Sequence, residues 1–298
     1  MGSIIDMFPG IAAKLKVGSR QAEIVTPESV YQLANLENRK LVDQVIGLFQ
    51  LPGSTFVNLE AFLELAQLSR QGNSCLILME HYSNFDIPNL YYLLEHSSPE
   101  AKIAVNQIIS MAGAKLNEES AFSRAFTESY GRIVIYPPRS LNSLRLRQDE
   151  AAVEEVKRAR AINMAALHHM VRQKHSGHIV LVFPAGTRYR PGDEDTRRGL
   201  REIDSYIKSF DHVMFIAIAG NTLPVNLTGS SMSDDAPVKD VVVYQASAVT
   251  DAHAFRHSIP VATGEDPKQA VVDAVMQNLA KLHSQAAVYR QKMIESLS

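Results

Sequence analysis

The chain has 298 residues, of which 46% are apolar, and 30 basic residues face 32 acidic ones for a formal charge of -2. Length and apolar content suit one large α/β core with a smaller element beside it. The near-balance of charge excludes the broad basic face of a general nucleic-acid binder, so any anion site must arise from local clustering.

The N-terminal stretch Met1 to Gly10 shows neither the charged start nor the apolar run of a secretory leader, and it does not complete the myristoylation pattern. Thr26-Pro27-Glu28 reads as a helix start, with a hydroxyl at the cap and proline at the first helical position. Val30, Leu33, Leu41, Val45, Ile46 and Phe49 then recur at near-helical spacing, with a break around Glu37-Asn38. Leu51-Pro52-Gly53-Ser54 is a turn, Asn58 caps a further helix, and Gly72-Asn73 ends it. A helical N-terminal subdomain over residues 1–72 is expected, followed by an α/β domain over residues 73–298.

From Cys75 onward strands and helices alternate, which argues an α/β fold with a mostly parallel mixed sheet flanked by helices. Cys75 to Met79 (C-L-I-L-M) is a run of five apolar residues, as in a strand buried on both faces. The single cysteine lies in that run, so no intrachain disulfide can form and packing is its expected role. His81 follows the strand, and Asp86 comes five residues later. Open α/β sheets place ligands beyond the carboxyl ends of their strands. A histidine there can take a proton from a hydroxyl, and a carboxylate returned by a short loop can fix its tautomer and stabilise the imidazolium.

Pro88 is expected to open a helix through Leu94, and Lys102 to Val105 to form a strand. Asn117 is expected to cap a helix that ends near Tyr130-Gly131. Arg132 to Tyr136 (R-I-V-I-Y) is a third strand, and Ser140 to Gln148 after it reads as a loop carrying Arg145 and Arg147, with Arg139 just before. A long helix spans Asp149 to Lys174, supported by Glu154 and Glu155 facing Lys157 and Arg158. His168, His169, His175 and His178 have no zinc-site spacing, and no metal is expected.

His178 to Phe183 (H-I-V-L-V-F) is another buried strand, and Pro184-Ala185-Gly186-Thr187-Arg188-Tyr189-Arg190-Pro191-Gly192 follows at once. A strand running into a glycine-containing loop with two arginines suits a phosphate, because backbone approaches closely at Gly186 and guanidinium forks grip oxygens. Arg197, Arg198 and Arg201 form a basic run after an acidic turn, a candidate docking patch for an acidic carrier protein or anionic head groups. A helix over Leu200 to Ser209, strands over Val213 to Ile218 and Asp240 to Gln245, and a long helix from Asp266-Pro267 complete the chain. The last helix is expected to turn Val271, Val275, Leu279 and Leu282 inward.

The pair of strand-end blocks, His81-x4-Asp86 and Phe183-Pro-x-Gly-Thr-Arg188, resembles the glycerolipid acyltransferases. Within that superfamily the chain is most similar to the soluble, plastid-type glycerol-3-phosphate acyltransferases, whose third block ends in Arg-x-Arg-Pro as Arg188-Tyr189-Arg190-Pro191 does. The resemblance covers roughly residues 70 to 250, and Phe215-Ile216-Ala217-Ile218 with the Pro-containing loop after it is similar to the fourth block. Ala185 stands where many members carry glutamate.

The resemblance implies acyl transfer from an acyl thioester, on acyl carrier protein or coenzyme A, to the sn-1 hydroxyl of glycerol 3-phosphate. It assigns His81 as base and Asp86 as its partner. Arg188, Arg190, Gly186 and, less closely matched, Arg139 would serve the acceptor phosphate, and Arg197, Arg198 and Arg201 the carrier. No resident cofactor is implied beyond the thioester co-substrate. No apolar run approaches the ~20 residues of a transmembrane helix, so the expected location is cytoplasmic, soluble or peripheral to a membrane. The rival acceptor is lysophosphatidate; a rival of another class is a non-catalytic module that binds a carrier protein or lipid head groups.

Overall fold

A computed structural model describes residues 3–147, 149–228 and 234–297. The expectations for Met1-Gly2 and for Gln148 lie outside the described residues. The strands are β1 (Tyr31–Gln32), β2 (Thr55–Val57), β3 (Cys75–Met79), β4 (Ile108–Gly113), β5 (Arg132–Ile135), β6 (Ile179–Val182), β7 (His212–Ala219), β8 (Val243–Ala246) and β9 (Thr250–Asp251). They form one mixed sheet in the order β1-β5-β4-β6-β3-β7-β8-β2, with β9 on β7. Pairing is parallel from β5 through β4, β6 and β3 to β7, and antiparallel where β1 meets β5 and β8 and β9 meet β7. β2 runs parallel to β8.

The central strands explain themselves. Every residue of β3 and β6 is buried, because helices cover both faces of the sheet. Cys75 is fully buried in β3, and burial pushes its thiol up to about 12, so it packs and stays protonated near neutral pH. One core joins β3, β6 and β7 to the helices Leu36–Phe49, Leu59–Arg70 and Asp86–Ser97; a second, on the opposite face, joins the sheet to the helices Glu150–Lys174, Ile203–Ser209 and Pro267–Leu297. Val271, Val275, Leu279 and Leu282 are all buried, as their helical spacing requires.

The first seventy residues are mainly helical but also supply β1 and β2 to the two ends of the sheet. Thr26-Pro27-Glu28 starts only a 3-10 turn, Pro27–Ser29; the following helix begins at Leu36, where the Asn35 side chain accepts from the Asn38 N–H. Asn58 precedes the helix Leu59–Arg70 in a left-handed conformation, and its side chain donates to the Ala246 carbonyl instead of capping.

Three further expectations are corrected. Lys102 to Val105 is not a strand: Ser98 caps a helix Pro99–Ala104 by accepting from Ala101 N–H, Pro99 occupies its first turn, and β4 begins only at Ile108. Ser140 to Leu146 is not a loop but part of a helix, Pro138–Leu146, opened by a proline at its first position. Asn117 does not cap the helix after it. It lies inside a short helix, Lys115–Glu118, donating to the carbonyls of Ala22 and Glu23, while Ser120 caps Ala121–Thr127.

Candidate functional site

β3 and β6 are register partners, with Leu78 opposite Val182, so their carboxyl ends lie side by side. His81 leaves the end of β3 and Phe183 the end of β6. The two rings stack face to face, centroids 3.8 Å apart and 10° from parallel. The loop after Phe183 is tied to the same point, since Tyr189 N–H donates to the His81 carbonyl at 2.8 Å.

His81 Nδ1 lies 2.8 Å from Asp86 Oδ2. Asp86 is 2% exposed and opens the helix Asp86–Ser97. Its carboxylate also accepts from Tyr82 N–H at 2.6 Å, Ser83 N–H at 2.9 Å and Ser83 Oγ at 3.0 Å. Three donors besides the imidazole thus fix the carboxylate in place. Its backbone is fixed too, because the buried Tyr244 hydroxyl donates to the Asp86 carbonyl at 2.9 Å. Asp86 accepts the hydrogen bond from Nδ1–H of the imidazole, which leaves Nε2 as the acceptor nitrogen.

His81 lines a cleft of about 700 Å³ that also includes Gly186, Arg188 and Arg190. Gly186 has φ +63, and a Cβ there would meet Leu200 Cδ1 at 2.4 Å, so the turn after β6 admits only glycine without rearrangement. Arg188 pairs with the carboxylate of Asp235, which is 1% exposed and also accepts from Asn226 N–H at 2.8 Å. Asp235 engages one terminal nitrogen of Arg188, the one hydrogen bond of that guanidinium among the described residues, and Arg188 lines the cleft. The Arg190 backbone is held by Thr196 Oγ1 at 2.9 Å, while its exposed guanidinium makes no hydrogen bond or ion pair among the described residues.

Not all of the basic residues named from sequence converge here. Arg139 donates to the Asp195 carbonyl at 2.7 Å and is not among the residues lining the cleft. Arg201 is paired with Asp266 at 2.5 Å. Arg197 lies over the Tyr189 ring at 4.1 Å, and Arg198 is exposed. All three arginines are exposed, but Arg201 is tied to Asp266 and Arg197 also lies 4.0 Å from Glu194, so the run does not form one uniform basic patch. No group of acidic, histidine and cysteine residues suited to a metal ion occurs among the described residues.

Beside the His81 pair stands a second one. Glu80 Oε2 accepts from His283 Nδ1 at 2.9 Å and from Ile218 N–H at 2.8 Å, and Glu80 Oε1 from the Tyr82 hydroxyl at 3.0 Å. The Glu80 hydrogen bond raises the His283 pKa above 6.5 against the opposing effect of burial. This pair pins the terminal helix to the end of β3. It was not legible in the sequence, where His283 is one polar residue on a long helix, some two hundred positions from its partner. Asp235 was missed for the same reason.

The walls of the cleft differ on the two faces of the sheet. On the face covered by Glu150–Lys174 they include the buried Met111, Met170, Val182 and Ile203 and the half-exposed Leu167 and Val171, with Asn163 and Ser205 among them. On the face covered by Asp86–Ser97 they include Ser110, Tyr130 and Arg132. Burial pulls the Arg132 guanidinium down to about 10.

Compared with known proteins, the chain matches no family model and no curated protein. No helix among the described residues is long and apolar enough to cross a membrane.

Proposed function

We propose that the protein transfers a fatty acyl chain from a thioester, on acyl carrier protein or coenzyme A, to the sn-1 hydroxyl of glycerol 3-phosphate. The observation that carries this reading is the His81–Asp86 pair at 2.8 Å, set at a strand end in a cleft whose rim holds Arg188 and Arg190. Acyl transfer from a thioester needs an activated hydroxyl, a positioned acceptor and room for an apolar chain. His81 Nε2 takes the proton of the acceptor hydroxyl as its oxygen attacks the thioester carbonyl carbon. Asp86 stabilises the imidazolium. When the tetrahedral intermediate collapses the carbon–sulfur bond breaks, and the proton on Nε2 passes to the departing thiolate sulfur.

Arg188, oriented by Asp235, and Arg190 hold the acceptor phosphate. The apolar wall of Met111, Met170, Val182 and Ile203 takes the acyl chain. Lysophosphatidate, the rival acceptor, shares the phosphate and would bring a second chain. A module without catalysis would have no use for a histidine paired with a carboxylate and open to a cleft. The test is release of free thiol from an acyl thioester by the purified protein. It should depend on glycerol 3-phosphate and be much slower with lysophosphatidate; acceptor-independent or absent release would remove the proposal.

A further inference from the structure

The second arm of the cleft contains a buried charge that acyl transfer does not use. Arg132 is 2% exposed. Its Nε donates to Gln32 Oε1 at 2.7 Å and one terminal nitrogen donates to Asn117 Oδ1 at 2.6 Å. Both partners are neutral, and the guanidinium has no ion-pair partner among the described residues. The acid that acts on it electrostatically is Glu128, whose oxygens already accept from Ser19, the Arg20 and Gln21 N–H groups, Asn35 and Asn38. A buried guanidinium is costly without an anion beside it.

One more buried group points the same way. Ser110 is the register partner of Arg132 across β4 and β5, and its Oγ has no hydrogen-bond partner among the described residues. Ser110 is 6% exposed and lines the cleft with Arg132. A guanidinium with an uncommitted nitrogen and a hydroxyl without a partner among the described residues match the acceptor-rich oxygens of a carboxylate.

Apolar side chains, interspersed with Ser83, Asn84 and Thr127, line the cleft on this face between the cluster and His81. Ser110 lies level with Leu181 and so with Ile77, four residues before His81, and its register partner Arg132 stands on β5, three strands across from β3. Strand spacing and rise make that roughly 20 Å. Ile87, Leu116 and Phe126 line the arm between. We propose that this arm binds a long-chain carboxylate, its oxygens held by Arg132 and Ser110 and its chain running along Phe126, Leu116 and Ile87 toward His81. A free phosphate shares the anionic chemistry but gains nothing from those walls.

The test is binding, not turnover, so its outcome is independent of the acyl-transfer reading. The full chain is titrated calorimetrically with hexadecanoate, hexadecanol and inorganic phosphate, as wild type, Arg132→Gln, Arg132→Lys and Ser110→Ala, each checked for folding by thermal melting. Hexadecanoate should bind at least tenfold more tightly than either other probe. Arg132→Gln should lose that advantage over hexadecanol, Arg132→Lys should keep part of it, and Ser110→Ala should weaken the acid several-fold with little change in melting. Equal binding of acid and alcohol, or phosphate binding as tight as hexadecanoate, would overturn the proposal. So would unchanged binding in Arg132→Gln or, where that variant fails to fold, in Ser110→Ala.

Discussion

Arg188 and Asp235, 47 residues apart, form an ion pair beneath the loop that follows β6, with Asp235 almost wholly buried. Arg188 therefore has a structural duty that Arg190, two residues on, does not share. Removing one partner of a buried pair leaves the other charge uncompensated, at a cost of about 3–5 kcal/mol. Arg188→Ala should lower the melting temperature markedly, and Asp235→Asn should do the same. Arg190→Ala should leave melting unchanged yet raise the KM for glycerol 3-phosphate about tenfold, as expected for loss of a charge-assisted bond. Equal melting of the two alanine variants would show that the Arg188–Asp235 pair contributes nothing.

Gly186 offers a test of the loop itself. At φ +63, with Leu200 Cδ1 in the path of any Cβ, Gly186→Ala must shift either the turn or Leu200. Alanine at a positive-φ position costs more than about 1 kcal/mol. Melting should fall accordingly, and activity should fall further, because Tyr189 N–H ties this loop to His81. A variant that melts and turns over like wild type would mean that the loop yields freely.

These two positions show what the sequence carried and what it did not. Buried apolar runs made β3 and β6 legible, and the fact that ligands gather at strand ends made His81, Asp86 and Gly186 legible. Local chemistry was misread where a helix start was hidden: Ser98-Pro99 and Pro137-Pro138 open helices that were expected as a strand and a loop. Long-range pairing left no trace in spacing. Asp235, His283 and the Ser110–Arg132 register depend on which strands and helices become neighbours, and the residues between them do not encode that locally.

The Glu80–His283 pair predicts a pH-dependent stability. Because the pKa of His283 is raised above 6.5 by its hydrogen bond to Glu80, the pair stabilises the fold fully below 6.5 and loses that contribution as pH rises through the folded-state pKa. Arg197 opposes protonation of His283, so the gain is partial. The difference in melting temperature between wild type and His283→Ala should be largest on the acid side, while Glu80 stays ionised, and should shrink at higher pH. A difference that grows with pH would contradict the pairing.

The basic run predicts unequal roles. Arg201 is bound to Asp266, so reversing its charge should disturb the Ile203–Ser209 region and the start of the terminal helix. Arg198→Glu and Arg197→Glu should instead weaken use of an acyl carrier protein more than of an acyl coenzyme A. That defect should shrink with salt, since exposed charges are screened beyond about 8 Å at physiological ionic strength. Equal loss with both donors would exclude a docking role.

The central claim is that His81, held by Asp86, removes the proton from the acceptor hydroxyl. Its most direct measurement is the rate at which acylated glycerol 3-phosphate forms from an acyl thioester, for wild type and for His81→Ala, with melting followed in parallel. His81 sits at a strand end outside the core, so the variant should melt close to wild type. Its rate should be lower by about 10²–10⁴-fold, the range for loss of a general base. A folded His81→Ala protein within a few-fold of the wild-type rate would contradict the account.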